Sequence, residues 1–138
     1  MDFEITKLPI EEGLKAEDLR DSQKLAEFII AVLDSKKARD IKLLHVEAHT
    51  VIADYFVICT GTSRTQIRAL ADEIEFKLEP YGIKAGHIEG ADAGTWVLQD
   101  FCSVIVHLFN REAREFYNLE KLYQETTEED ISTLITND

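Results

Sequence analysis

The sequence has no long apolar run. Nothing in the 138 residues approaches the roughly 18 to 20 consecutive apolar residues that a helix needs to cross a bilayer. The first 21 residues are acidic and have neither a basic start nor an apolar core, so neither a secretory signal nor a transit peptide is predicted. The apolar fraction of 45% and the charged fraction of 30% are typical of globular proteins. We therefore expect one soluble domain that stays in the cytoplasm.

Cysteine is scarce, and the two that occur, Cys59 and Cys102, each lie inside an apolar run. In a reducing compartment this pattern predicts two buried, unbonded thiols that pack as small apolar side chains. Neither belongs to a C-x-x-C motif, and neither has a convincing base near it. A disulfide and a catalytic thiol are therefore not expected.

Basic residues are scarce at both ends of the chain. The net charge is −12; residues 1–22 hold seven acids and three bases, and residues 124–138 hold five acids and no base. Bare nucleic acid repels such a protein, because phosphate binding needs clustered Lys and Arg. A macromolecular partner should instead present a basic surface. The alternative is that the acidic ends only keep a small domain in solution.

Catalytic patterns are missing as well. The turn at residues 60–63 (TGTS) stands between an apolar strand and a helix, where free backbone N–H groups can hold an anion. It lacks the spacing and the lysine of a phosphate-binding loop. A nucleotidyltransferase also needs two carboxylates, one residue apart on a neighbouring strand, for magnesium, and the nearby strand candidates offer only Glu89 and Asp100. We predict a protein that is not an enzyme and has no cofactor, with a nucleotide-binding enzyme as the alternative.

The histidines do not predict a metal site. The chain has four, which are His45, His49, His87 and His107. His45 and His49 would need a helix to share a face at this spacing, and their context predicts a strand. His107 lies in a wholly apolar run and is predicted to be a core histidine whose hydrogen bonds are satisfied.

Hydrophobic periodicity predicts an α/β fold. The predicted helices cover residues 23–37, about 63–78 and 111–123, and the predicted strands cover 41–47, 55–60, 84–89, 95–101 and 103–109. The last helix is expected to pack through Phe116, Leu119 and Leu122.

Two connections suggest how the strands pair. The strand-helix-strand passage around residues 55–89 favours a parallel pairing, and the short link from Phe101 to Ser103 favours an antiparallel hairpin. A mixed sheet of about five strands with helices packed against it satisfies both. The domain is predicted over residues 22–123, between an acidic extension (1–21) and an acidic tail (124–138) that has little to bury and should be mobile.

The single tryptophan lies in the most informative stretch, residues 89–109 (EGADAGTWVLQDFCSVIVHLF). Alternation places Trp96, Leu98 and Asp100 on one face of a strand, and Val97, Gln99 and Phe101 on the other. A lone tryptophan here is either a core residue or an interface anchor, since Trp and Tyr dominate binding hot spots.

A series of short motifs runs in order along residues 22–123. They are Asp54-Tyr55-Phe56-Val57-Ile58, Gly61-Thr62-Ser63, Ala71-Asp72-Glu73, Glu89-Gly90, Trp96-Val97-Leu98 with Asp100, Val106-His107-Leu108-Phe109, Arg114-Glu115-Phe116-Tyr117 and Leu119-Glu120-Lys121-Leu122. The series resembles the ribosomal silencing factor (Iojap) family. The resemblance implies a fold like that of a nucleotidyltransferase that has lost its catalytic carboxylates.

The resemblance also implies a function. A member of this family binds the large ribosomal subunit through its basic universal protein fourteen, obstructs joining of the small subunit and so represses translation when nutrients are limiting. Steric exclusion needs only affinity and position. Family members often form homodimers, so self-association is expected to be possible. A dimeric adaptor for another basic protein is a further alternative.

Five residues are implied as the partner-binding site. Trp96, Leu98 and Asp100 form the expected docking strand, with Glu89 and Phe101 beside it. Phe101 stands where many relatives have a tyrosine, so a hydrogen bond from that hydroxyl is absent here.

Overall fold

The computed structural model describes residues 7–47, 52–123 and 126–136. Its strands are β1 (Arg39–His45), β2 (Tyr55–Thr60), β3 (His87–Glu89), β4 (Trp96–Asp100), β5 (Val104–Phe109) and β6 (Thr127–Glu128). Its helices are α1 (Ser22–Ser35), α2 (Arg64–Leu78), α3 (Arg111–Tyr117) and α4 (Leu119–Leu122). Three 3-10 turns cover Pro9–Glu11, Ala16–Arg20 and Glu79–Tyr81. Across these ranges no helix is long and apolar enough to span a membrane.

The strands form one mixed sheet in the order β3-β4-β5-β2-β1-β6. The α/β class and the β4–β5 hairpin are confirmed, since these two strands pair antiparallel. The five expected strands are all present, and the described residues add a sixth, β6. One expectation about the sheet was wrong: β2 pairs in parallel with β5 instead of with the strand that follows α2. That strand, β3, pairs antiparallel with β4 at the sheet edge.

Helices α1 and α2 cover one face of the sheet, and their ends follow the capping signals in the sequence. Asp21 accepts a hydrogen bond from the backbone N–H of Lys24, and Ser63 accepts one from Gln66. Gly82 closes the α2 region in a left-handed conformation, with φ 75°. The helix stripes pack on the apolar side chains of this face of β2, β4 and β5 to form the larger core. We call this the helical face.

The last helix was predicted as one element, and that prediction was wrong. Asn118 has a left-handed backbone (φ 45°) that divides it into α3 and α4. Leu119 is buried, whereas Phe116 is 81% exposed and Leu122 is 72% exposed. The expected packing assumed a continuous helix in which all three side chains share a face. The break at Asn118 removes that common face.

The acidic tail buries more than its sequence suggested. Thr127–Glu128 (β6) pairs antiparallel with β1. Without β6, β1 would be the edge strand and would leave backbone N–H and C=O groups unpaired. Ile131 is buried in the core of the helical face, with Leu134 and Ile135 packed against it. The expectation that the tail has little to bury is therefore wrong. In the N-terminal extension, Leu19 is part of the same core.

The two thiols have different environments. Both cysteines are free, but Cys59 is buried in β2 while Cys102 is exposed in the β4–β5 turn. The prediction that both are buried was therefore wrong for Cys102. Its backbone has φ 70°, and its N–H donates to the Asp100 carboxylate at 2.8 Å. The apolar run around Cys102 is interrupted by this tight turn, and the thiol lies outside the core.

Candidate functional site

The sheet face opposite α1 and α2 carries the expected docking residues. On β4 the predicted alternation is confirmed: Trp96, Leu98 and Asp100 are half-buried, whereas Val97 and Gln99 are buried on the helical face. The smaller core of this second face receives Leu119 and the partly buried Trp96 and Leu98. Because α3 and α4 together are short, they leave the β4 side of this face partly open. We call this the open face.

The other two expected docking residues, Glu89 and Phe101, lie on opposite faces of the sheet. Glu89 pairs with Leu98, so both side chains lie on the open face. Glu89 is exposed there, and its carboxylate contacts Nε2 of His87 at 2.8 Å. Phe101 is only 7% exposed and belongs to the core of the helical face. The structure therefore brings Trp96, Leu98, Asp100 and Glu89 together and leaves Phe101 on the other side of the sheet.

The Trp96 ring is held by aromatic neighbours. Its centroid lies 5.0 Å from that of Phe109 and 4.5 Å from that of Tyr117. Its indole N–H donates to Nδ1 of His107 at 3.1 Å. The Trp96 side chain is therefore not fully buried, as a core residue would be, and it is also not a freely moving surface side chain. It is a fixed ring with part of its surface accessible.

Three exposed apolar residues lie beyond β4, on α3 and α4. Phe116, Tyr117 and Leu122 are 81%, 49% and 72% exposed, and the Phe116 ring meets that of Tyr117 edge-on at 5.0 Å. Tyr117 in turn touches Trp96, so the apolar area continues from the strand onto α3. Sequence reasoning placed Phe116 and Leu122 in the core. The signal it missed was Asn118, a residue type that tolerates the left-handed conformation and often ends a helix.

We call the combined region the docking surface. It consists of Trp96, Leu98, Phe116, Tyr117 and Leu122, with Asp100 and Glu89 on the same open face or at its edge. The rings of Trp96, Tyr117 and Phe116 contact one another in turn, and Leu122 adds an exposed apolar side chain on α4. Clusters of exposed apolar residues are typical of interaction sites in otherwise polar surfaces.

The turn considered for anion binding lies at the carboxyl ends of the parallel strands β2 and β5, where α/β proteins commonly bind ligands. Here Arg114 occupies the groove. Its guanidinium donates to Oγ1 of Thr60 at 2.8 Å and forms an ion pair with Glu120 at 2.9 Å. An acid on the same chain therefore already neutralises this partly buried cation.

The histidines are spread over the fold. His45 and His87 each contact a glutamate two residues away, His107 is buried, and His49 lies outside the described residues. Within the ranges that the structure describes, no group of three or more potential metal ligands occurs. Burial lowers the pKa of His107 to about 4 and raises the pKa of the Cys59 thiol to about 12, so both side chains are neutral at pH 7.

Comparisons with known proteins identify the family. Residues 19–138 match the family model described as ribosomal silencing factor during starvation. The chain is 44% identical over 93 residues to the ribosomal silencing factor of Bacillus subtilis, covering 67% of this chain and 79% of that protein. It is 36% identical to a mouse protein named mitochondrial assembly of ribosomal large subunit protein 1, over 70% of this chain and 44% of that protein.

A solved structure agrees with these matches. The crystal structure of a protein from Chromobacterium violaceum superposes with a TM-score of 0.71 at 31% identity, covering 74% of this chain and 85% of that one. The resemblance seen in the sequence motifs is confirmed. The chain belongs to the ribosomal silencing factor family, whose members are regulators of translation.

Proposed function

We propose that this chain docks on the large ribosomal subunit through the docking surface and represses translation by obstructing the small subunit. The observation that carries the proposal is the partly exposed, rigidly packed Trp96 at the centre of an apolar area. Trp and Tyr held in place in this way lose little conformational freedom on binding, which makes them effective anchors.

The charge of the chain favours a basic partner. Its net charge is −12, and Asp100 and Glu89 add carboxylates next to the apolar docking residues. A basic ribosomal protein, the universal protein fourteen on the joining face of the large subunit, fits this chemistry better than bare RNA, which would be repelled. The name of the mouse relative refers to the large ribosomal subunit, which supports that subunit as the partner.

Steric exclusion needs no reaction, and several features fit a binding protein better than an enzyme. The groove where a nucleotide-binding protein would hold phosphates contains Arg114, which is already paired with Glu120. Strands β3 and β4 each supply a single carboxylate, Glu89 and Asp100, rather than a pair spaced for magnesium. We also propose a cytoplasmic location and place no cofactor in the mechanism. Self-association of two copies remains part of the proposal, with the apolar docking surface as the area that would be shared.

Co-sedimentation with purified large subunits tests the proposal. Trp96→Ala should weaken binding by roughly 2 kcal/mol or more, the scale of a hot-spot residue, because it removes the central ring. Ile88→Ala is the matched control, since Ile88 is 38% exposed and pairs with Gln99, whose side chain lies on the helical face. It should bind like the parent. A Trp96→Ala protein that is folded and still co-sediments as tightly as the parent would show that the docking surface is misplaced.

A joining assay tests the regulatory half. Adding the parent protein to large subunits before small subunits should reduce the yield of complete ribosomes, and Trp96→Ala should restore it. If the protein binds large subunits but does not reduce joining, large-subunit binding is supported and the silencing mechanism is contradicted.

A further inference from the structure

We propose that His107 is a positioning residue for docking, because it holds the indole of Trp96 in the one orientation that presents its apolar edge to the partner. This inference rests on the proposed function of the docking surface. It gives a role to a side chain that the sequence alone presents only as a core histidine.

The hydrogen bond between the two rings has one possible direction. The indole N–H is a donor only, so Nδ1 of His107, 3.1 Å away, must be the acceptor and carries no proton. The proton of the neutral ring is therefore on Nε2. Burial of the ring, which is 4% exposed, favours this neutral form.

The second ring nitrogen of His107 makes burial of this residue energetically unfavourable. Nε2 is buried and has no hydrogen-bond partner among the described residues. His107 lies between buried apolar residues on β5 and packs edge-on against Phe56 at 4.8 Å. A leucine or phenylalanine would fill this position without burying an unsatisfied donor. The bond to Trp96 is the contact in the structure that offsets this cost.

The hydrogen bond to His107 also determines the orientation of the Trp96 indole, which the aromatic packing alone does not. Phe109 and Tyr117 contact the Trp96 ring and restrict its plane. Stacking contacts of this kind constrain the plane of the ring but not which of its two faces is stacked, and the alternative face would turn the indole N–H away from His107. The bond to His107 selects the rotamer whose N–H edge faces the sheet. The partner then meets the carbon edge of the ring and needs no acceptor for the indole.

Nuclear magnetic resonance can follow this bond directly, because the chain has a single tryptophan and hence a single indole N–H resonance. His107→Phe keeps an aromatic ring and removes the acceptor. His107→Asn places an amide oxygen close to the position of Nδ1 and should rescue the bond. Ile105→Val is the matched control, since Ile105 belongs to the same small core and its change leaves both rings intact.

In His107→Phe we expect the indole resonance to move and its exchange with solvent to accelerate. Binding to large subunits should weaken by roughly fivefold, the usual contribution of one hydrogen bond. His107→Asn should recover both readouts in part, and Ile105→Val should leave both unchanged. If His107→Phe does not fold, His107→Leu removes the same acceptor and has the same expected outcome.

Two results would overturn the inference. One is an indole resonance in His107→Phe that coincides with that of the parent. The other is a moved resonance with unchanged binding, while Trp96→Ala still weakens binding. Unchanged binding of Trp96→Ala itself would instead refute the proposed function, so the two failures are distinguishable.

Discussion

At the scale of single residues, the open face depends on how polar atoms are placed within an aromatic cluster. Trp96 and His107 come from adjacent strands, and neither residue taken alone indicates its role. Because Leu98 is registered opposite His107, Trp96 lies diagonally across from it, within reach of its ring. The resulting contact satisfies the indole N–H and leaves part of the ring surface accessible.

The buried His107 should make stability depend on pH. Its pKa is lowered to about 4 in the folded protein, so between pH 6.5 and 4 the unfolded chain binds more protons than the folded one. This contribution to stability is fully present above pH 6.5 and is lost as the pH falls toward 4. Between pH 7.5 and pH 5, the parent should lose roughly 2 kcal/mol more free energy of unfolding than His107→Phe does.

Urea denaturation at the two pH values measures this difference. Comparing the parent with the variant cancels the titration of carboxylates that are common to both. Equal losses in the two proteins would mean that His107 is not held neutral by burial.

At the scale of elements, the left-handed residue between α3 and α4 creates much of the docking surface. With Asn118 at φ 45°, the axis changes direction after Tyr117, and Leu119 enters the core while Phe116 and Leu122 stay outside. Asn118 also caps α4, since its side chain accepts a hydrogen bond from the backbone N–H of Lys121. One residue thus ends one helix and begins the next.

Phe116 and Leu122 should therefore matter for binding and not for folding. Phe116→Ser and Leu122→Ser should each change the free energy of unfolding by only about 0.5 kcal/mol or less, because these side chains are 81% and 72% exposed. Binding to large subunits should weaken by about 1 kcal/mol or more in each. Leu119→Ala is the opposite case and should cost roughly 2–5 kcal/mol of stability.

Denaturation and co-sedimentation of the three variants check this expectation. A large loss of stability in Phe116→Ser would show that α3 packs as the sequence periodicity suggested. Unchanged binding in both serine variants would limit the docking surface to β4.

At the scale of the whole molecule, the acidic terminal segments contribute both to the net charge and to the core. The described parts of the acidic ends pack on the domain: Ile131 and Leu19 both belong to the core of the helical face, and Thr136 hydrogen-bonds to Asp34 of α1. The net charge of −12 is therefore carried partly by segments folded onto the domain. It contributes to the field that a basic partner meets at a distance.

Asp100→Lys should separate this long-range attraction from the apolar contact. We expect slower association with large subunits and a weaker dependence of the association rate on salt, because the variant removes a negative charge at the docking surface and adds a positive one. Glu27→Lys makes the same charge change on the exposed side of α1 and serves as the control. Equal effects of the two variants would mean that net charge, rather than its position, governs encounter.

Much of this protein follows from its sequence alone. Local signals determine the mixed α/β class, the α1 and α2 helices with their caps at Asp21 and Ser63, and the alternation along β4. Each depends on side chains within a few positions of one another, where the period of 3.6 or 2 applies directly. The series of motifs was likewise sufficient to identify the family.

Tertiary structure decided the rest, because it depends on contacts between distant segments. The parallel pairing of β2 with β5 and the sixth strand formed by Thr127–Glu128 join residues far apart in the chain. The exposure of Phe116 follows from a left-handed turn at Asn118, which hydrophobic periodicity does not register. The hydrogen bond between Trp96 and His107, eleven residues apart, was not predicted, since register across two strands, and not sequence distance, brings their rings together.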